Sequence, residues 1–237
     1  ELVDKLDEKM KLLDLLITVA YSAKINFEEV MSPIRTWDSI AFHILKKDNI
    51  VVPPKARNFK SDAYVGAYVK EPLVGKHNWV MSFDLNSLYP HIIMQHNISP
   101  EKMIKGGQRM DVNIESMLEG TADLLPLKQN DRTVTPNGVM FTRDKQGFLP
   151  ELMEKFYDER KAWKKKMIGY QKELETVSDN VQRKELETKI KHAYNNQQVR
   201  KIALNSAYGA LANQYFAFFS IKALRGGTSS PISIENT

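Results

Sequence analysis

The stretch NWVMSFDLNSLYP (residues 78–90) opens on an apolar run and closes on a lone acid, a small polar pair, a tyrosine and a proline. Aromatic and β-branched residues clustered in this way read as a strand, with Asn86, Ser87 and Pro90 as the tight turn behind it. Together with the preceding AYVGAYVKEP (63–72), the stretch predicts a sheet that presents Asp84 at a strand end. One carboxylate performs little chemistry alone, so other parts of the chain have to converge on Asp84 for it to act.

Working outward, residues 1–50 carry apolar positions at helical spacing through LVDKLDEKMKLLDLLITVAYSAK. MSPIRTW then breaks the pattern before a shorter apolar segment, IAFHILKK. VVPPKARNFK (51–60) reads as loop. After Pro90, HIIMQHN suits a short helix, and SPEK (99–102) has the form of a new helix start, with Ser99 as N-cap and Pro100 first inside. Residues 105–148 are rich in Gly, Asp, Asn and Thr, and the turn signal TPNG predicts a short hairpin there.

From Pro150 the pattern turns helical, pauses at SDN (178–180) and resumes over 181–212. Two long helices joined by so few residues run antiparallel. Strand, turn and hairpin together predict an α+β fold: an antiparallel sheet with helices, plus a long antiparallel helical hairpin. Residues 149–202 hold 13 Lys or Arg against 9 Asp or Glu, so most of the net charge of +5 lies there. RKAWKKKMIGYQK (160–172) contains six basic residues and no acid. Such a run is either a solvated face or a surface for phosphates.

At about 100° per residue, Gln197, Lys201, Asn205 and Tyr208 share a stripe of about 80° on the second helix. Arg160, Lys164 and Met167 follow the same spacing on the first. Singly, each has an ordinary explanation: Lys164 as a solvated lysine, Asn205 as a surface amide, Tyr208 as a packing residue with Gly209 permitting close approach. Together with a strand-end acid they suit a polyphosphate. Arginine offers bidentate contacts to phosphate oxygens, lysine a compact charge, and a divalent ion on Asp84 would neutralise the remaining oxygens.

The composition sets outer bounds. With 42% hydrophobic residues, 237 residues can bury a substantial core. The absence of cysteine excludes disulfides and thiolate metal sites. No apolar run approaches the roughly 20 residues of a membrane span, and ELVDKLDEKM is unlike a secretory signal. These features lead to the expectation of a soluble intracellular protein with no membrane partner.

Four elements in order, SFDLNSLYPHII (82–93), TPNGVMF (135–141), ERKAWKKKM (159–167) and KIALNSAYG (201–209), resemble the family B DNA polymerases, specifically the T-even-type bacteriophage replicative enzymes. MSPIRTWDSI (31–40) and NISPEKM (97–103) are also similar, and the resemblance extends from residue 1 to about residue 222. It implies a helical scaffold segment over 1–60, a first part of the palm over 61–148, fingers over 149–212, and the start of a second palm part with a divergent tail over 213–237. It further implies template-directed nucleotidyl transfer from a deoxynucleotide to a primer 3′-hydroxyl, with two Mg²⁺ ions, primer–template DNA as partner and the host-cell cytoplasm as location.

The resemblance also implies roles. Asp84 would be the first of two metal-binding aspartates, with the Leu85 carbonyl as a backbone ligand. The amides of Ser87, Leu88 and Tyr89 would cradle the triphosphate, and the Tyr89 ring would exclude a 2′-hydroxyl. Arg160 and Lys201 would hold phosphates, with Lys164 as a third cation. Asn205 would lie near the triphosphate, Tyr208 and Gly209 beneath the nascent base pair, and Gly66 and Ala67 near template DNA.

The sequence departs from the family in three places. The second metal-binding element, Asp-Thr-Asp, is expected after KIALNSAYG, yet no Asp-x-Asp occurs in the chain. His91 stands where the family usually carries Ser. YFAFFSIKA (215–223) is still similar to the family, whereas LRGGTSSPISIENT (224–237) is not. Hence the expectation of an incomplete polymerase piece, a split subunit or interrupted gene product, inactive alone and needing a second polypeptide with the missing palm strands and thumb. Two other readings stay open: a non-catalytic DNA-binding fragment that grips backbone through the basic hairpin, and a structural helical hairpin whose polar stripe is surface.

Overall fold

The computed structural model describes residues 2–52, 71–104, 109–211 and 213–218. These residues form an α+β fold of eight α-helices and one two-stranded antiparallel sheet. They divide into a helical unit (Glu1–Asn58 with Leu152–Phe219) and a second unit (Phe59–Glu151 with Ser220–Thr237).

In the helical unit, α1 (Leu2–Met10) and α2 (Leu12–Ala23) replace the single continuous helix read from the sequence. Lys11 adopts a left-handed conformation at φ 55, and the Asp7 carboxylate accepts the Leu13 amide at 2.8 Å. An amide orphaned at the start of α2 thus gains a partner from the end of α1. Pro33 does not break α3 (Pro33–Lys47) but opens it: Ser32 caps the helix by accepting from Arg35 N, and proline has no N–H to lose in the first turn. Trp37 on α3 is buried. Its indole N–H donates to Ser206 Oγ at 3.0 Å, and its ring meets Phe156 edge-on, so it touches both long helices.

Those helices are α7 (Phe148–Thr176) and α8 (Asn180–Leu211), 29 and 32 residues long. Asp179 Oδ2 accepts the Gln182 amide at 3.1 Å and starts α8. Arg183 donates to the Leu174 and Val177 carbonyls, which satisfies acceptors at the end of α7. Further from the turn, Trp163 packs against His192, and further still Glu159 pairs with Arg200. Partner numbers that fall on one helix as they rise on the other establish the antiparallel hairpin. Val199 on α8 joins Val19 and Val30 in a small core against the N-terminal helices.

The second unit holds α4 (Leu88–Gln95), the short helices α5 (Ile114–Leu118) and α6 (Leu125–Gln129), and the hairpin β1 (Arg132–Val134) with β2 (Met140–Thr142). TPNG turns that hairpin as its composition requires. Gly138 sits at φ 80, and a Cβ there would lie 2.4 Å from the Met110 carbonyl oxygen.

Two expectations fail here. No strand forms over residues 71–85, and the chain there is exposed, Trp79 and Phe83 included. An extended segment needs a neighbour for its N–H and C=O groups, and no ladder partner for 78–85 occurs among the described residues. Trp79 also has φ 60, which interrupts an extended path. Gly66 and Ala67, with most of AYVGAYVKEP, lie outside the described residues.

SPEK is a single turn rather than a helix. Its polar groups are committed elsewhere: Ser99 Oγ donates to Glu101 Oε2 at 2.6 Å and accepts from Leu149 N, while Glu101 Oε1 accepts from Phe148 N. The motif caps α7 instead of starting a helix of its own. Beside it, the buried Asn97 donates to the Thr142 and Lys145 carbonyls and accepts from Gly147 N.

Replacing Asn97 with Ala removes its bonds to three backbone groups, the buried Gly147 amide among them, and is expected to destabilise the protein by about 1–3 kcal/mol in urea denaturation. His96 supplies a pH dependence. Burial first, and the Arg143 charge second, hold its imidazole below the ordinary 6.5, partly offset by a hydrogen bond to the Val134 backbone. The unfolded chain therefore takes up this proton first. The contribution is complete above about 6.5 and is lost as pH falls towards the folded-state value. Melting temperatures measured from pH 7.5 down to 5 are expected to decline less in His96→Gln than in the parent.

Candidate functional site

Asp84 and Leu85 lie in an exposed approach to α4. Ser87 turns the chain in a left-handed conformation, φ 54 and ψ 46, directly before the helix. Its carbonyl accepts the His91 amide at 3.2 Å and lies 2.9 Å from His91 Nδ1. A proton on Nδ1 makes the second contact a hydrogen bond, so the histidine that departs from the family pattern reinforces the turn. The Ser87 side chain makes no capping bond, and Pro90 has no N–H, so the amides of the first turn are those of Leu88 and Tyr89. Pro90, Ile92 and Ile93 are buried and anchor the helix.

On the hairpin, Lys164, Lys201 and Asn205 are exposed, and Arg160 and Tyr208 are partly so. Gln197 leaves the expected ridge, since it is buried. Gly209 has open space where a Cβ would project, so no described residue uses it for close packing.

Sequence reading missed the pair that organises this face. Arg200 Nε donates to Glu159 Oε2 at 2.9 Å and Arg200 NH1 to Asn196 Oδ1 at 3.1 Å. Glu159 and Trp163 therefore mark the stripe of α7 that faces α8, and His192 and Arg200 the stripe that answers it. In an antiparallel pair, one step onward along each chain rotates both side chains towards the same side. Arg160 and Lys164, each one residue past a contact residue of α7, thus share a face with Lys201, one past Arg200. The available signal was an acid directly before Arg160 and a base directly before Lys201.

Other cations of the basic run have different work. Lys166 Nζ sits 4.5 Å from the Trp163 ring centre and Lys161 Nζ 5.1 Å from that of Tyr157. Among the described residues, no ion pair engages Arg160, Lys164 or Lys201, and Arg160 Nε is buried without a hydrogen-bond partner. Helix phase relative to the Glu159–Arg200 contact sets Arg160, Lys164, Lys201 and Asn205 on one side of the hairpin, and Asp84 to Tyr89 are consecutive residues leading into α4. The first group belongs to the helical unit and the second to the other unit.

Asp84 offers a carboxylate and Leu85 a backbone carbonyl, oxygen donors of the class that hard divalent cations take. No group of three or more His, Asp or Glu able to hold a metal occurs among the described residues. No helix among those residues is long and apolar enough to cross a membrane.

The family model for DNA polymerase family B matches residues 35–225. The DNA-directed DNA polymerase of Enterobacteria phage T4 is 33% identical over 259 residues, covering 94% of this chain and 28% of that enzyme. That of Escherichia phage RB69 is 31% identical over 257 residues, covering 92% and 28%. The solved structure of the family B DNA polymerase from the hyperthermophilic archaeon Pyrobaculum calidifontis superposes with a TM-score of 0.65 at 19% identity, covering 98% of this chain and 27% of that one. The chain thus spans under a third of the length of the curated relatives it matches.

Removing Arg200 leaves Glu159 half-buried without its cation. Arg200→Ala is expected to lower stability by about 1–2 kcal/mol, whereas Lys164→Ala, on an exposed and unpaired side chain, is expected to leave the urea midpoint within error.

Proposed function

Because the chain belongs to DNA polymerase family B, and to its T-even-type group, we propose that it forms the palm-and-fingers portion of a DNA-directed DNA polymerase and binds the incoming deoxynucleoside triphosphate. In this reading residues 1–60 are scaffold, 61–148 the first part of the palm, 149–212 the fingers, and 213–237 the start of the second palm part with its tail. The observation that carries it is the shared face of Arg160, Lys164 and Lys201, cations that no acid among the described residues neutralises.

The reaction is phosphoryl transfer. The primer 3′-oxygen, giving up its proton, bonds to the α-phosphorus of the deoxynucleotide as the bond to pyrophosphate breaks. Arg160 and Lys201 hold the departing phosphates and offset their charge, with Lys164 as a third cation and Asn205 beside them. The Leu88 and Tyr89 amides, behind the left-handed Ser87, point a helix N-terminus at the triphosphate. Tyr89 lies beneath the sugar and leaves no room for a 2′-hydroxyl, and Tyr208 and Gly209 support the nascent base pair. Mg²⁺ held by Asp84 and the Leu85 carbonyl would neutralise phosphate oxygens and favour ionised forms of oxygens bound to it. Movement of the hairpin towards the palm would bring the cations onto the phosphates only for a correctly shaped pair.

The second carboxylate comes, in this reading, from polypeptide outside these 237 residues that carries the remaining palm strands and thumb. This chain alone binds the triphosphate and primer–template DNA but does not polymerise. Its place of action is the host-cell cytoplasm.

Triphosphate binding in Mg²⁺, followed by calorimetry, tests the reading. Loss of one charge-assisted phosphate contact in Lys201→Ala is expected to weaken affinity about tenfold or more, and Asp84→Ala to abolish its Mg²⁺ dependence. If both variants bind triphosphate like the parent and lose only affinity for DNA, the non-catalytic DNA-binding alternative stands instead. Primer extension on mixing with the complementary polypeptide is expected, and no extension from either piece alone.

A further inference from the structure

A cleft in the second unit, away from every residue assigned above, lies between α6 and the β1–β2 hairpin. It measures about 470 Å³ and is lined by Lys128, Arg132, Arg143 and His96, with apolar Leu127 and Val134 among its walls. Arg143 also lines a neighbouring cleft together with Lys145. Lys128, Arg132, Arg143 and Lys145 thus border two hollows that meet at Arg143.

The acids nearby do not balance these cations. Asp144, between Arg143 and Lys145 in sequence, is committed to Lys102 at 3.1 and 3.3 Å. Asp131 lines the cleft, but its carbonyl, not its carboxylate, accepts the Arg143 amide. Among the described residues none of the four cations has an ion-pair partner. Arg143 lies near enough to His96 to disfavour the imidazolium, a repulsion that a bound anion would relieve.

We propose that this pair of clefts is a second nucleic-acid contact, which takes the phosphodiester backbone of an unpaired strand, with a base resting on the apolar wall. A free phosphate ion would call for an enclosed cup of donors, whereas Lys128, Arg143 and Lys145 are exposed. A row of exposed cations gains most from a polyanion, through release of its condensed counterions. Of the apolar lining, Leu124 is exposed and Met117 partly so, and they can cover the face of an unpaired base, which a duplex keeps inside its own stack. The inference rests on the polymerase reading only for the identity of the polyanion.

The test is fluorescence anisotropy of the 237-residue chain with a labelled single-stranded oligonucleotide and with a duplex, across a salt series, for the parent and for Arg132→Glu/Arg143→Glu. The double variant is expected to bind the single strand at least tenfold more weakly at low salt. Its plot of log affinity against log salt should be shallower by about 0.7 for each lost phosphate contact. Its melting temperature and its Mg²⁺–triphosphate affinity should be unchanged. Should charge reversal lower the melting temperature, Arg143→Gln, at an exposed position, replaces it with the same expected direction.

Unchanged single-strand affinity and slope in these variants overturns the proposal, as does a loss confined to the duplex, or competition by inorganic phosphate as effective per phosphate as by the oligonucleotide. The two readings fail separately. Triphosphate binding that survives Lys201→Ala sinks the polymerase site and leaves this cleft standing, and the reverse pattern does the opposite.

Discussion

A helix begins with amides that have no partner within it, some of them here buried, and the start of α7 meets that constraint through one short motif. Ser99, Glu101 and the Gly147 carbonyl accept from Leu149, Phe148 and Glu151 in turn, and Asn97 ties Gly147 to Thr142 at the end of β2. Each buried donor left unmet would cost on the order of 1–3 kcal/mol, a large share of a typical domain's stability. There is no slack for another residue at Gly147: a Cβ there would lie 2.5 Å from that of Ser99. NISPE and the Gly147 turn therefore act as one device, separated by some fifty positions in sequence, which fixes where the long helix starts. Which side chains of α7 meet α8 is settled separately, along the hairpin itself, by Glu159 with Arg200 and Trp163 with His192.

Along the hairpin the basic run is sorted by environment rather than simply solvated. Arg200 is consumed by Glu159 and Asn196, Arg183 by the carbonyls at the turn, Lys191 by Asp14 and Lys166 by the Trp163 face. Each of these contacts gives structure and removes a cation from the pool available to a ligand. Arg160, Lys164 and Lys201 stand apart because the contact stripe lies one residue before each on its own helix. The half-buried ion pair thus does two things: it closes the hairpin, and it sets the orientation of the charges beside it.

Much of this was legible in sequence because the signals were local. The two long helices, their antiparallel course, the Asp179 start and the TPNG hairpin each follow from periodicity or turn chemistry over a few residues. The polar ridge was legible at Lys201 and Asn205 but not at Gln197, since a helical wheel gives direction and not what covers it. SPEK has every mark of a helix start, and only the long-range partners of Ser99 and Glu101 decide that it serves α7 instead. Pro33 was misread in the opposite sense, as a break where Ser32 makes it a beginning. Glu159–Arg200 was invisible because an ion pair across a hairpin depends on how two helices some forty residues apart in sequence align, which no local pattern states.

The failure of the strand at 78–85 bears on chemistry as well as on fold. Trp79, Val80, Met81 and Phe83 are strongly exposed, and covering each would contribute about 1.5–3 kcal/mol. Their backbone groups likewise want a neighbouring strand. Asp84 follows directly, so whatever strand covers this segment also arrives beside the carboxylate. An added strand and a second metal-binding carboxylate are thus two aspects of one requirement in the proposed reading, met by the same polypeptide. Binding does not share that dependence. The cations that would grip a triphosphate sit on a hairpin closed by its own contacts, and the amides of the α4 N-terminus are set by Ser87 and His91 within a single turn. In the proposed reading, triphosphate capture would therefore draw on groups whose local settings lie within these 237 residues, while bond formation would need the second carboxylate.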